Sequence, residues 1–430
     1  MIRIGCGQGF WGDSPEAPVR LVEDGPLDYL VLDYLAEVTM SILQKQKRDN
    51  PAFGYARDFP LLIERIAATV QRKGIRVIAN AGGVNPSACA QEIRKRCPGL
   101  RVAVVHGDDI FLQLADLIAQ GYPLSNMDTG APLANVLDLV LSANAYIGAF
   151  PLAAALATGA DVVVTGRCSD AALVLAPMVY RFGWSDTDWP RLSAGIVAGH
   201  IVECGAQCTG GNCLADWETI PDLANIGYPI VEAHEDGSTV ITKHEGSGGR
   251  VSLASVKEQL VYEVGDPRAY YTPDVIADFT TVALSADGPN RVAVRGSSGL
   301  PRPTHLKASI SYHWGYKAAG TLTYGPPKAG QKARAAAAIV DQRCEQLGLH
   351  FERQWTEVFG EEWSMLRMAV RDRDRAPVER WTREMIPLVL NGPPGATGYG
   401  DGRPKVHEVV AYWPALLPRE AVRTSIEVLG

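Results

Sequence analysis

Three things are scarce in this chain of 430 residues: long apolar runs, cysteine and surplus positive charge. No segment reaches the ~18 consecutive apolar residues that a transmembrane helix requires. The N-terminus passes from Met1 straight into IRIG, without the apolar core of a secretory signal. Both absences lead us to expect a soluble, cytoplasmic protein with no membrane partner. The eight cysteines are too sparse for a disulfide framework and read as free thiols of a reducing compartment. Against 41 Lys and Arg stand 48 Asp and Glu, a net charge of −7, which leaves no basic track for nucleic acid. At this length two domains are expected, each able to bury its own core.

What the chain has in quantity is alternation of short buried strands with helices. Ile2–Cys6, Leu27–Leu35, Val77–Ala79, Arg101–Val105 and Val162–Val164 read as strands. Phe59–Lys73, Ser87–Arg96, Ile110–Gln120, Asn135–Ala145, Gly148–Thr158 and Leu192–Val202 read as helices. That order predicts an α/β fold, with a mostly parallel, helix-covered sheet over residues 1–215. From residue 216 the texture changes to short alternating runs such as PIVEAH and STVITKH, and residues 216–430 are expected to form an α+β, strand-richer domain. It holds one long helix near 330–347, with Phe351–Val358, Met365–Arg371, Met385–Leu390 and Val406–Trp413 as strands. The glycine-dense segment 391–404 is a candidate lid.

Open α/β sheets place ligands beyond the C-terminal ends of their strands, and polar residues collect at those ends here. Asn80, Gly82 and Gly83 close one strand just before a helix that starts near Pro86. Free amides and a helix N-terminus would make that corner receptive to an anion, although it lacks the dinucleotide spacing. Another strand ends in HGDD, where Asp109 reads as a helix cap and Asp108 stands as a candidate base. Arg167 and Asp170 follow the strand Val162–Val164; the guanidinium suits a carboxylate or phosphate, or else pairs with Asp108 or Asp170. Gly248 and Gly249, beside Lys243 and Arg250, form either a second phosphate cradle or a plain turn. Phe10 and Trp11 sit on a loop where they could wall a pocket.

The densest stretch is Gly199–Gly211, GHIVECGAQCTGG. His200, Glu203 and Cys204 are types that move protons or attack carbonyls, while Gln207, Gly210 and Gly211 could contact a ligand closely. Glycine directly after Cys204 argues that no helix continues, which ranks a Cys204 nucleophile with His200 as base below acid–base chemistry. Cys204, Cys208 and Cys213, even with His200, match no zinc spacing, so no metal is expected.

Several of these segments occur together elsewhere. GFWGDSPEA, DYLVLDYLAEVTM, NAGGVNP, SANAYIGA, DVVVTGR, AGHIVECGAQCTGG, DWETIPDL and YEVGDPRAYYTPDV, in order from Ile2 to past Asp278, resemble the acyclic terpene utilisation (AtuA-like) family. The resemblance implies a place in the breakdown of acyclic terpenes and related branched acids, whose intermediates are acyl-CoA thioesters. Longer relatives carry a small ferredoxin-like module at the C-terminus, and the resemblance implies that this chain either works without it or receives it from a separate small partner subunit. It assigns no catalytic residue.

The residues and the resemblance together predict a catabolic hydratase or lyase acting on a carboxylate or acyl-CoA intermediate, with the CoA moiety belonging to the substrate. Glu203 or Asp108 would be the base, His200 the partner acid, and Arg167 with the Gly82 and Gly83 amides the anion-holding side. Two alternatives remain open: thiol-dependent acyl transfer through Cys204, and a non-catalytic acyl-CoA-binding or scaffolding subunit of a larger complex. A homo-oligomer is expected for a metabolic protein of this size.

Overall fold

Short β-branched runs separated by amphipathic helices build the first part of the chain. In order, it forms β1 (Ile2–Gln8), α1 (Ala17–Glu23), β2 (Tyr29–Leu32), α2 (Glu37–Asp49), α3 (Asp58–Lys73), β3 (Arg76–Ala79), α4 (Pro86–Arg96) and β4 (Val102–His106). Then come α5 (Leu114–Ala119), β5 (Val140–Ala145), α6 (Ala149–Ala157), β6 (Val162–Thr165), α7 (Ala172–Phe182) and α8 (Trp189–Val202). The later elements are β7 (Ile230–Ala233), β8 (Thr239–Thr242), α9 (Leu253–Val261), β9 (Tyr270–Tyr271), β10 (Ile276–Asp278), β11 (Ala283–Ala286), β12 (Val292–Arg295), β13 (Ser298–Leu300) and β14 (His305–Tyr324). The chain closes with α10 (Ala329–Gln346), β15 (Arg353–Phe359), β16 (Ser364–Asp372), β17 (Ala396–Thr397), β18 (His407–Pro418) and β19 (Ser425–Leu429). The structure is a computed structural model and describes residues 1–398 and 402–430. It divides into one unit of Met1–Leu137, Leu141–Ser311 and Tyr412–Gly430, and another of Asp138–Val140 and Tyr312–Ala411.

The larger unit is built on a ten-stranded sheet in the order β11-β12-β8-β7-β1-β2-β3-β6-β4-β19. β1, β2, β3, β6 and β4 are parallel, and antiparallel strands extend both edges. Alternate residues of the parallel strands serve opposite faces, as a period of two requires. Tyr29, Val31, Ile78, Ala103, Val105 and Val163 join a core covered by α6, α7 and α8. Leu30, Leu32, Val77, Ala79, Val102, Val104, Val162 and Val164 join a second core with residues of α1, α3 and α4. Both faces are dry, which is why these strands read as continuous apolar runs.

The change of texture near residue 215 falls inside this unit. There the sheet passes from parallel to antiparallel pairing, as β7 joins β1 and β8, β12 and β11 follow. Antiparallel neighbours need only a hairpin, so the helices thin out although no unit ends. Two local expectations are corrected. Asn135–Ala145 is not a helix: two short 3-10 turns lead into β5, whose backbone is held by Ile110 N–H to Ala143 O (2.9 Å). Met385–Leu390 is not a strand, since its end enters the helical turn Leu388–Asn391.

In the smaller unit, Tyr316–Tyr324 of β14 pairs antiparallel with β16, and β15 pairs with the other side of β16. α10 buries Ala329, Ala333, Ala336, Ala337, Val340 and Cys344, spaced for one helical face, with Leu322, Tyr324, Leu366, Met368 and Trp381. The candidate lid begins with the end of that helical turn and continues through β17, which pairs with Thr323 and Tyr324 of the same unit. Residues 399–401 of the segment lie outside the described residues.

Candidate active site

The C-terminal ends of the parallel strands open into a cleft of about 870 Å³ in the larger unit. The loop after β1 contributes Gly9 and Phe10, and the one after β2 contributes Asp33, Leu35 and Glu37. Tyr146 follows β5, Arg167 and Asp170 follow β6, and Glu203 and Cys204 follow α8. Tyr270, His305 and Lys307 close the ring from β9 and β14. Carboxyl groups and aromatic rings therefore surround a small number of cations.

Glu203 is the C-cap of α8, with its N–H bonded to Gly199 O at 2.8 Å. His200 is one helical turn earlier, and its Nδ1 lies 3.1 Å from Glu203 Oε1. That histidine is 1% exposed, behind the cleft wall, with its ring against Tyr270 and Phe279. Glu203 Oε2 and His200 Nε2 have no hydrogen-bond partner among the described residues. Burial pushes the Glu203 carboxyl up to about 7, and His200 pulls in the opposite direction. A carboxyl poised near neutrality, facing a cleft and steadied from behind, is suited to move a proton.

Cys204 lines the same wall, and Gly9 is pressed against it: a Cβ at position 9 would lie 2.7 Å from the Cys204 carbonyl carbon. Burial and the neighbouring Glu203 push the thiol up to about 12, so it stays protonated at neutral pH. Arg167 is 2% exposed, stacks its guanidinium 4.3 Å over the Tyr146 ring and pairs with Asp170 and with Cys168 O. Its Nε has no partner among the described residues. Tyr146 donates its hydroxyl to Glu37, and Lys307 Nζ lies 3.6 Å from the same carboxylate. Although burial opposes it, these donors and Arg167 hold Glu37 below the usual carboxylate range.

Other residues singled out from the sequence lie off the cleft. Asp108 is buried beneath it, with Oδ2 accepting from Arg167 N (2.7 Å) and Asn144 Nδ2 (2.8 Å). A side chain at Gly166 would strike that carboxylate, so Asp108 braces the loop carrying Arg167. Burial raises it to about 6. Asp109 is exposed and accepts from Phe111 N, starting a 3-10 turn. Asn80 is fully buried and bonds Tyr34 N and Asp33. Gly82 donates its amide to Thr165 O and Gly83 to Asn80 O. Gly248 and Gly249 likewise donate to Asn225 O and Pro221 O, while Lys243 and Arg250 bond Ser247 and Asp216. Gly210 and Gly211 close turns on Gln207 O and Ala206 O. Their amides are spent within the protein. Gln207 also lies in that turn, away from the lining residues.

The sequence reading missed Asp33, Glu37, Tyr146, Tyr270, His305 and Lys307 as members of one site. Asp33 carried a usable signal, because it ends an apolar strand as Thr165 does. Tyr270 and Lys307 carried none, since only the return of the chain brings them to the strand ends. Gly7, Gly9 and Gly12 do have the G-x-G-x-x-G spacing, yet α1 starts only at Ala17, so that turn does not run straight into a helix as the dinucleotide motif does. No group of three or more His, Cys, Asp or Glu among the described residues is arranged to hold a metal ion. No helix among them is long and apolar enough to cross a membrane.

Fold and cleft together define an α/β protein with a carboxyl-rich, aromatic-walled cleft at the ends of its parallel strands. The sequence model of the acyclic terpene utilisation family protein AtuA matches residues 2–428, and the chain belongs to that family. The family name ties it to the utilisation of acyclic terpenes. No curated protein matches the chain.

Proposed function

We propose that this protein is a catabolic enzyme, a hydratase or lyase that moves a proton beside the carbonyl of a carboxylate or acyl-CoA intermediate of acyclic terpene breakdown. The observation that carries the reading is the placement of Glu203: a carboxyl on the cleft wall, held by His200, with one oxygen unpartnered among the described residues and a proton affinity near neutrality. As base, Glu203 takes a proton from the carbon next to the carbonyl; as acid it returns one. His200 acts from behind, orienting the carboxyl without touching substrate. Arg167 and Lys307 supply positive charge, and Phe10, Leu35, Met127, Leu306 and Leu416 supply apolar surface for a branched chain. Thiol-dependent acyl transfer through Cys204 is disfavoured by the raised thiol.

The test follows exchange of the α-hydrogen of a 3-methyl-branched acyl-CoA in deuterated water, together with the thermal shift the same compound induces. Glu203→Gln should slow exchange by ~10²–10⁴-fold and leave the shift in place. In the wild type, exchange should rise as the pH passes through about 7. A wild-type protein that is stabilised by the thioester and never exchanges it would instead be a non-catalytic acyl-CoA-binding subunit.

A further inference from the structure

Asp33 follows β2 and reaches the cleft while only 6% exposed. Its Oδ1 accepts two hydrogen bonds, from Asn80 Nδ2 at 2.6 Å and from Leu35 N at 3.2 Å. The orientation of Asn80 is set by the network: the Tyr34 amide can only donate, so it must meet Asn80 Oδ1, at 2.7 Å, which turns Nδ2 toward Asp33. Among the described residues Asp33 Oδ2 has no hydrogen-bond partner, so one oxygen is anchored and the other is free.

The groups facing this carboxyl are mostly acidic. Asp170 and Arg167 from the loop after β6, and Glu203 and Cys204 from the end of α8, line the same cleft, and the charge of Asp33 is also felt at the Cys6 and Cys168 thiols. Arg167, the cation among these groups, is already engaged by Asp170. Burial first, and then the Asp170 charge, push Asp33 well above the usual carboxylate range, with Arg167 and Asn80 pulling back. Buried carboxyls that repel one another do not all ionise together.

We propose that Asp33 presents a protonated carboxyl to the cleft and donates a hydrogen bond from Oδ2 to the substrate carbonyl oxygen, as the electrophilic partner of Glu203. This rests on the reading of Glu203 given above. In the step concerned, the Glu203 carboxylate takes the α-proton and the C–H electron pair becomes the carbon–carbon double bond of an enolate. The carbonyl π pair moves to oxygen, where the Asp33 O–H meets the developing charge. Reprotonation by Glu203 reverses the step, and no oxidant or reductant is needed. A neutral donor fits here because an ionised Asp33 would repel the enolate oxygen.

The first arm of the test needs no substrate. The infrared difference between wild type and Asp33→Asn at neutral pH should show the carbonyl stretch of a protonated carboxyl. A carboxylate signature in its place would overturn the proposal. The second arm measures α-hydrogen exchange of the same branched acyl-CoA. Asp33→Ala should slow it by ~10²–10³-fold, and Asp33→Asn, which keeps an N–H donor and the Asn80 contact, by about tenfold only. Asp33→Asn as slow as Asp33→Ala, or Asp33→Ala as fast as wild type, would also sink it. Unchanged exchange in Glu203→Gln would remove the reading of Glu203 and leave the infrared result standing.

Discussion

The turn at Gly82–Gly83 and the turn at Glu203–Cys204 begin alike, each where a buried apolar element gives way to a loop with glycine and polar residues, and they do opposite things. At Gly82–Gly83 the amides close on Thr165 O and Asn80 O, and there is no room for a side chain: a Cβ on Gly82 would lie 2.6 Å from Thr165 O. At Glu203, a residue of the cleft wall, the buried Oε2 has no hydrogen-bond partner among the described residues. Buried polar atoms in folded proteins are nearly always paired. The glycine turn follows that rule and is architecture, whereas Glu203 and Arg167 Nε, both in residues that line the cleft, are exceptions among the described residues, and the proposed site is built on them.

The comparison can be broken or sharpened by substitution. Asp108→Ala should have the largest effect, since it strands the buried Arg167 amide and Asn144; a loss of about 3–5 kcal/mol in chemical denaturation is expected. Gly82→Ala should cost ~1–3 kcal/mol by overpacking against Thr165 and Pro86, with the ligand-induced thermal shift intact. Loss of that shift would return the Gly82 amide to the site.

A smaller effect is expected from pH. Asp108 is raised from 3.8 to about 6, so the stability linked to its proton is full below the unfolded value and is lost as pH rises through the folded one. Between roughly pH 4 and 7 the wild type should lose on the order of 1–3 kcal/mol relative to Asp108→Asn. A parallel course for the two proteins would show an ordinary Asp108. The smallest effect belongs to Cys204→Ser, which should change α-hydrogen exchange by less than about threefold, because a thiol raised to about 12 is not the nucleophile. Abolished exchange would place the Cys204 side chain in the proton-moving machinery.

Much of the fold was readable from local pattern. The parallel strands, the helices α3, α4, α6 and α8, and α10 appear close to where periodicity placed them, because each buries a face of its own. β5 was misread because VLSANA carries no clear period, and its pairing decided its state. Within the candidate site, Glu203, Cys204, Arg167 and Asp170 were visible as polar residues at element ends, and all four line the cleft. Asp108 looked the same in sequence and lies underneath, because a carboxylate beside two buried donors is drawn to them.

By itself the sequence determined the α/β class, the family and the loops on which reactive residues sit, since burial periodicity and residue type are local properties. Only the tertiary structure decided which polar atoms are already satisfied. That outcome depends on partners far along the chain: Asn80 with Asp33, Thr165 with Gly82, Lys307 with Glu37. An amide or carboxyl is free to meet a ligand only when no such partner reaches it, and spacing along the chain does not encode that distance.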